Sequence, residues 1–147
     1  MNCNETIFDL VTSIEAYPFS GVSSIGTMSV HKKSVSESDL GLEGLEMIRV
    51  PMKSKSCSPS EDNSVEIPGD SYEVTVSWQI LHVDKGVYQV LERLKEQPNH
   101  LIFRTYGNKG YFVRCEEEGY LFSYHESGGM IECELKVHNK NGIQRIL

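Results

Sequence analysis

The sequence predicts a mainly β domain of the α+β type, built as an antiparallel barrel or sandwich with one flanking helix and a long exposed loop. Three observations lead to this prediction. Residues Tyr72–Leu81 alternate between apolar and polar side chains, which is the period of a half-buried strand. One amphipathic helix pattern follows at Asp84–Gln97. Short strand patterns separated by turn residues then continue to Leu147.

The strand and the helix are the best-defined elements. The only Trp of the chain, Trp78, lies in the apolar row of the strand, so this row is expected to face the core. The helix is expected to begin at Asp84, whose carboxylate can accept hydrogen bonds from the free N–H groups of the first turn. Pro98 is expected to end it, with the helix lying across one face or one end of the sheet.

The C-terminal part is predicted to be a meander of consecutive antiparallel strands, separated by turns rich in Gly and Asn. Its strands are expected at Leu101–Tyr106, Tyr111–Cys115, Tyr120–His125, Met130–His138 and Ile143–Leu147. In the third of them the aromatic side chains of Tyr120, Phe122 and Tyr124 fall on one face. Together with Trp78, these aromatic residues are expected in the core or at a subunit interface.

The N-terminal half has poorer patterns. We expect one or two helical turns or a strand at Glu5–Ile14, a strand at Ile25–His31 and a short strand at Leu45–Met52. Whether these segments complete a barrel is left open.

The stretch Lys53–Asp70 is rich in Ser, Pro and charge, so it buries too little apolar surface to offset the entropy of ordering. We therefore expect one domain over residues 1–147 with a flexible loop at about 53–70. Either this loop mediates assembly or it is a mobile hairpin tip without a role in the isolated protein. Its charged residues, the candidates for assembly contacts, are Lys53, Lys55, Glu61, Asp62, Glu66 and Asp70.

Charge and composition restrict the partners. The formal net charge is −7, and residues 1–71 carry 5 basic and 11 acidic side chains against 9 and 10 in residues 72–147. Without a basic patch, sequence-specific binding to nucleic acid is not expected. The sequence contains no transmembrane run and starts without a basic segment before an apolar one, so we expect no membrane partner and synthesis in the cytoplasm. The four cysteines form no CxxC pair, and free thiols are expected.

No catalytic motif is present, and neither a metal nor another cofactor is expected. His125 and His138 are predicted on one side of neighbouring strands, near Glu132 and Glu134, which favours a solvated polar face over a metal or acid–base site. The run Glu116–Glu118 is interpreted as a solvated connection. Cys115 and Cys133 have apolar neighbours at period two and are interpreted as small core residues.

This layout resembles the tail-tube proteins of long-tailed phages, whose fold is shared by type VI secretion tube proteins. The matching features are the loop Lys53–Asp70, the strand Tyr72–Leu81, the helix Asp84–Gln97 and the meander through Leu147. Neck, tail-terminator and distal-tail proteins are related alternatives. The resemblance implies hexameric rings that stack into a tube, with sheets paired edge to edge, a long loop reaching the next ring, and an electronegative lumen.

The first hypothesis is therefore a structural, self-assembling virion-type protein without enzymatic activity, with further copies and other tail or neck proteins as partners. It would occur in the cytoplasm as synthesised and then in the virion. The alternative is a small β-barrel module that binds a peptide or small ligand in an aromatic pocket. That pocket would be lined by Tyr106, Tyr111, Phe122 and Tyr124. A metal-dependent enzyme is the third hypothesis.

Overall fold

Two packed β-sheets and one flanking helix form the protein in a computed structural model, which describes residues 10–19, 34–42, 44–66, 69–81, 83–116 and 118–147. The strands are β1 (Val11–Pro18), β2 (Ser34–Val35), β3 (Ile48–Val50), β4 (Ser58–Glu66), β5 (Gly69–Ile80), β6 (Asn99–Thr105), β7 (Gly110–Val113), β8 (Tyr120–Ser127), β9 (Met130–Asn139) and β10 (Ile143–Ile146). The helix α1 spans Lys85–Glu96, and a 3₁₀ helix spans Glu37–Leu40. The predicted mainly β class is confirmed as a sandwich, because the described strands form two separate sheets and no closed barrel.

The strands divide unequally between the sheets. The six-stranded sheet has the order β2-β10-β7-β6-β1-β3, and the four-stranded sheet has the order β4-β5-β9-β8. Neighbouring strands are antiparallel except for β10 and β2, which pair in parallel. The strand that the sequence defines best, β5, lies in the middle of the smaller sheet.

The main core fills the space between the sheets. Val74, Val76, Trp78 and Ile80 of β5 are all buried, whereas Ser77 on the opposite face is exposed, which confirms the predicted alternation. A second apolar cluster covers the other face of the six-stranded sheet. Its buried members are Val35, Leu40, Ile102 and Phe112. The centre of the larger sheet is therefore buried on both faces.

Helix α1 begins and ends where the sequence predicts. The Asp84 carboxylate accepts a hydrogen bond from the Val87 N–H at 3.0 Å, and Gln97 returns the backbone to an extended conformation before Pro98. Val87, Leu91 and Leu94 are buried, so one stripe of the helix joins the main core beside β8.

The prediction of an exposed loop over Lys53–Asp70 was wrong for most of this stretch. Residues Ser58–Glu66 form strand β4, which pairs with β5 from Ser58 opposite Ser77 to Glu66 opposite Gly69. The polar composition led to the wrong prediction because an edge strand is ordered by backbone hydrogen bonds to its neighbouring strand. It therefore needs little apolar surface of its own.

The prediction of one continuous C-terminal meander was also wrong. The hairpins β6–β7 and β8–β9 form as expected, and Asn108 adopts positive φ in the first turn. They lie in different sheets, however. The chain crosses from the six-stranded to the four-stranded sheet after β7 and returns after β9, so β10 pairs with β7.

The N-terminal predictions are only partly tested. Of the segment predicted as helix or strand at Glu5–Ile14, Val11–Ile14 belong to strand β1, and residues 5–9 lie outside the described residues. The strand predicted at Leu45–Met52 is shorter, at Ile48–Val50. Strand β1 pairs with β6 and β3 in the six-stranded sheet. The strand predicted at Ile25–His31 lies outside the described residues.

One buried carboxylate joins the two sheets. Glu61 points inward from β4, is 5% exposed, and accepts a hydrogen bond from the Ile143 N–H at 2.9 Å. Ile143 is the first residue of β10, so this bond connects the edge of the smaller sheet to the returning chain of the larger one. At the same corner the Asn139 side chain accepts hydrogen bonds from the N–H groups of Asn141 and Gly142.

Replacing Glu61 by Ala should destabilise the fold. The substitution leaves the buried Ile143 N–H without its acceptor, which costs about 2 kcal/mol in the free energy of unfolding. Chemical denaturation of Glu61→Ala beside the wild type measures the loss, and Glu61→Gln, which keeps an acceptor oxygen, should lose less. Glu134→Ala is the matched control, because Glu134 pairs at 3.6 Å with the solvent-exposed Lys136 and should contribute under about 0.5 kcal/mol. Equal losses for Glu61→Ala and Glu134→Ala would contradict this assignment.

Candidate functional site

The β4–β5 hairpin extends past the rest of its sheet. Strand β9 ends at Asn139, opposite Tyr72, but β4 and β5 remain paired for three further positions up to Glu66 and Gly69. Among the described residues, no third strand pairs with residues 64–66 and 69–71, which we call the projecting ribbon. It projects about 10 Å beyond the sheet. Two-stranded ribbons are marginally stable alone, so the order of this ribbon depends on the sheet from which it extends.

The six residues predicted as assembly contacts do not form one site. Lys53 and Lys55 are exposed in the turn before β4, and Glu61 is buried in the core. Asp62 is exposed on the outer face of the four-stranded sheet. The other two residues, Glu66 and Asp70, belong to the projecting ribbon. The hairpin thus places the two lysines at one end of β4 and the ribbon at the other.

Both edges of the four-stranded sheet are open in the described part of the chain. Its outer strands are β4 and β8, and no described strand pairs with their outer sides. Pro59 lies in β4 and has no N–H to donate, which is typical of an edge strand. The three antiparallel pairings of the sheet make β4 and β8 run in opposite directions. If β8 of one copy lies beside β4 of the next, the ladder continues as antiparallel.

The outer face of the same sheet is polar and acidic. It carries the side chains of Asp62, Glu73, Glu132, Glu134, Lys136, His125 and His138. His125 lies 3.2 Å from Glu132 and His138 lies 3.2 Å from Glu73. The two histidines therefore form separate cross-strand pairs instead of converging. No group of His, Cys, Asp and Glu in the described residues is arranged to hold a metal ion.

A depression of about 680 Å³ lies on this outer face. Ser77 and Ser123 flank Glu134 in register on the neighbouring strands, and their short side chains leave space on both sides of the carboxylate. Gln79, His125 and Glu132 of the next register row also line the depression. The groups around it are hydroxyls, an amide, carboxylates and an imidazole, which suit a polar ligand.

In the predicted aromatic set, Trp78 and Phe122 belong to the core, and Tyr120 and Tyr124 are partly buried against it. Trp78 and Phe122 are 2% and 4% exposed, and their rings stack with centroids 5.8 Å apart. Tyr124 packs at 6.0 Å from Phe122 and donates to Glu92 of α1. The Tyr120 hydroxyl donates to the carbonyl of Leu94 at 2.7 Å, and burial raises the pKa of Tyr120. These side chains fasten the helix to β8.

The aromatic pocket of the alternative hypothesis is not formed by the residues predicted for it. Tyr111 and Phe122 are buried in the core, while Tyr106 is 83% exposed. They therefore do not line one cavity with Tyr124.

A buried His–Cys pair was missed by sequence reasoning. The Nδ1 atom of His100 accepts a hydrogen bond from the Cys115 N–H at 3.0 Å, and the His100 ring lies between Phe19 and Phe112. Burial, with a smaller contribution from Arg114, lowers the pKa of His100 to about 4. Burial also raises the pKa of the Cys115 thiol to about 12, so this thiol is not an activated nucleophile. Cys115 and Cys133 are buried, as predicted.

The sequence analysis did not predict the β4–β5 hairpin, although the sequence contains one turn signal for it. The sequence contains the dipeptide Pro68-Gly69, a combination that is typical of turns. The segment before this dipeptide lacks the apolar alternation that identifies a strand, because the residues in register with the apolar row of β5 are Pro59, Glu61 and Asn63. Turn chemistry was therefore more informative here than hydrophobic periodicity.

The buried His100 predicts a loss of stability in mild acid. Its pKa is about 4 in the folded state, below the ordinary value near 6.5. The stabilisation of the fold by the neutral, buried imidazole is therefore complete above about pH 6.5 and is lost as the pH falls toward 4. Between pH 7 and pH 5 the free energy of unfolding should fall by about 2 kcal/mol. Denaturation at both pH values measures this, and His100→Asn should remove the difference. The control His125→Asn, at an exposed His, should retain it; equal behaviour of the two variants would refute the assignment.

No protein-family model matches the chain, and comparison with curated proteins and with solved structures gives no match either. Among the described residues, no helix is long and apolar enough to cross a membrane. The open edges, the projecting ribbon and the acidic face of the four-stranded sheet are the features from which a function can be inferred.

Proposed function

We propose that the protein is a non-enzymatic structural subunit that assembles with copies of itself through the edges of its four-stranded sheet and the projecting ribbon. In this role it would be similar to a phage tail-tube protein or a related virion component. The observation that carries the proposal is that the two outer strands of this sheet, β4 and β8, have no described strand on their outer sides and run in opposite directions.

The edges offer the backbone groups that such an interface needs. An unpaired strand edge presents N–H and C=O groups that another strand can satisfy. A contact between β8 of one copy and β4 of the next uses two different surfaces, so it repeats from copy to copy and closes into a ring or continues as a filament. Leu121 on β8 is 64% exposed and would gain burial in this contact.

The acidic outer face supports the same arrangement. If the sheets of several copies join edge to edge with this face inward, the carboxylates of Asp62, Glu73, Glu132 and Glu134 line the enclosed space, with Lys136 the only Lys of this described face. Such a surface repels nucleic-acid phosphates. This matches the electronegative lumen that the resemblance to tail tubes implies, in which DNA moves without binding.

A second candidate function is the binding of a small polar ligand in the outer-face depression. The observation that favours it is the volume of about 680 Å³, which lies within the usual range of ligand pockets. Ser77→Trp places a bulky side chain in the depression from the inner strand β5 and changes no residue of either edge strand. Loss of ligand binding with unchanged assembly in this variant would separate the two functions.

Assembly should appear as a rise in molar mass with protein concentration. Light scattering after size exclusion, followed by negative-stain microscopy of the largest species, should show rings or tubes of uniform diameter. A protein that stays monomeric at all concentrations, including with candidate baseplate or neck partners added, would contradict the proposal.

Engineered cysteines should locate the contact between β4 and β8. In a background with Cys3 and Cys57 replaced by Ser, the pair Ser60→Cys and Ser123→Cys should form ladders of disulfide-linked multimers on oxidation. Within one chain these positions are three strands apart, about 14 Å, which is too far for an internal disulfide.

The matched control is Ser77→Cys with Ser123→Cys, because Ser77 lies on the same face of an inner strand and should give no ladder. Ser123→Cys alone distinguishes the alternative pairing: disulfide-linked dimers from this single variant would mean that two β8 edges meet, which would overturn the β4–β8 contact. The β4–β8 contact would also be overturned if the protein were multimeric but the Ser60→Cys and Ser123→Cys pair gave no disulfide-linked ladders.

A further inference from the structure

Two carboxylates of β9 lie side by side in the outer-face depression. Glu132 and Glu134 both line it, and they alternate along the strand, so their side chains leave the sheet on the same face with Cα atoms about 7 Å apart. Their side chains are 44% and 50% exposed, which leaves both accessible from solvent. Two Glu side chains at this spacing can converge on one ammonium group, which has three hydrogen-bond donors.

The existing partners of these carboxylates do not neutralise the depression. His125 lies 3.2 Å from Glu132 and counts as neutral at pH 7. Lys136 lies 3.6 Å from Glu134, but it belongs to the next register row and does not line the depression. The lining residues thus carry a formal charge of −2, from two Glu and no Lys or Arg. Both pairs are exposed to solvent and contribute little, so the cationic group of a ligand can compete for the carboxylates.

Neutral polar side chains surround the two carboxylates. Ser77 and Ser123 flank Glu134 on the neighbouring strands, and Gln79 lies opposite Glu132. In the described part of the chain, the side chains of these two serines and of Gln79 form no hydrogen bond with the protein. Hydroxyl and amide groups both donate and accept, so they suit the hydroxyl groups of a ligand.

We propose that the depression binds a small polyhydroxylated molecule that carries a primary ammonium group, such as an amino polyol or an amino sugar. The ammonium group is held between Glu132 and Glu134, and the ligand hydroxyls bond to Ser77, Gln79 and Ser123. Anionic ligands are disfavoured, because their charge would meet two carboxylates. This inference rests on the second candidate function proposed above and names its ligand class, and it does not depend on self-assembly.

Three compounds with the same polyol chain provide the test: glucamine, N-acetylglucamine and sorbitol. They carry an ammonium, an acetamide and a hydroxyl group at the same position. Charge-assisted hydrogen bonds are about twice as strong as neutral ones, so glucamine should bind roughly tenfold more tightly than the other two, or better. Nuclear magnetic resonance titration of isotopically labelled protein measures the affinities. The amide signals of Ser77, Ser123 and Glu134 should shift with glucamine.

Substitutions that remove one charge test the two carboxylates. Glu132→Gln and Glu134→Gln should each weaken glucamine binding by about tenfold, because the ammonium loses a charged acceptor. The matched control is Glu73→Gln. Glu73 lies on the same outer face and is 3.2 Å from His138, as Glu132 is from His125, but it does not line the depression. This variant should bind glucamine as the wild type does.

The outcomes separate the ligand class from the site. Equal binding of the three compounds, or undiminished glucamine binding by both depression variants, would overturn the ammonium site and leave the depression as a site for neutral polar ligands. A loss in Glu73→Gln as large as in Glu132→Gln would show general attraction of cations to the acidic face, which also overturns the inference. No shift at the depression with any of the three compounds would do so too. Undiminished glucamine binding by Ser77→Trp would overturn the second candidate function together with this inference.

Discussion

The hydrogen bond from the Ile143 N–H to the buried carboxylate of Glu61 is the interaction on which the arrangement of the two sheets depends. A buried N–H without an acceptor is costly, and the chain must bring this N–H inside because it returns to the larger sheet at this point. Glu61 is supplied by an edge strand of the other sheet, and Asn139 satisfies the next backbone groups of the same corner. The bond also fixes β4, and with it the open edge and the projecting ribbon.

The two sheets differ in what they leave exposed. The larger sheet is covered at its centre on both faces, because residues 34–42 pack Val35 and Leu40 over Ile102 and Phe112. Burial also keeps His100 neutral and the Cys115 thiol protonated there. In the smaller sheet no described strand pairs with the outer side of β4 or β8, and α1 packs beside β8. The outer face of this sheet presents its acidic side chains and the depression to solvent.

Sequence reasoning succeeded where one local pattern determines the structure. Trp78 falls in a regular apolar row, and Asp84 precedes a clear amphipathic stripe, so the sequence predicted α1 with its caps and the part of β5 from Tyr72 to Ile80. The strand itself begins three residues earlier, at Gly69. It failed where the decisive interaction is distant in sequence. Glu61 resembles a solvated loop residue until its partner Ile143 is known. Hairpin turns likewise indicate that strands pair, but they carry no information on which sheet each hairpin joins.

The polar composition that hid β4 also restricts which edge it can pair with. If two copies paired through β4, the acidic residues Asp62 and Glu66 of one copy would lie close to the same residues of the other. Pro59 has no N–H, so this ladder would also lack one hydrogen-bond donor from each strand. Strand β8 contains His125 and the single acidic residue Glu126, which is hydrogen-bonded to Tyr88 of α1 at 2.6 Å. Pairing of β4 with β8 thus brings fewer negative charges close together than pairing of β4 with a second β4. The charge of the edge strand therefore disfavours pairing of β4 with a second β4 and is compatible with the proposed contact between β4 and β8.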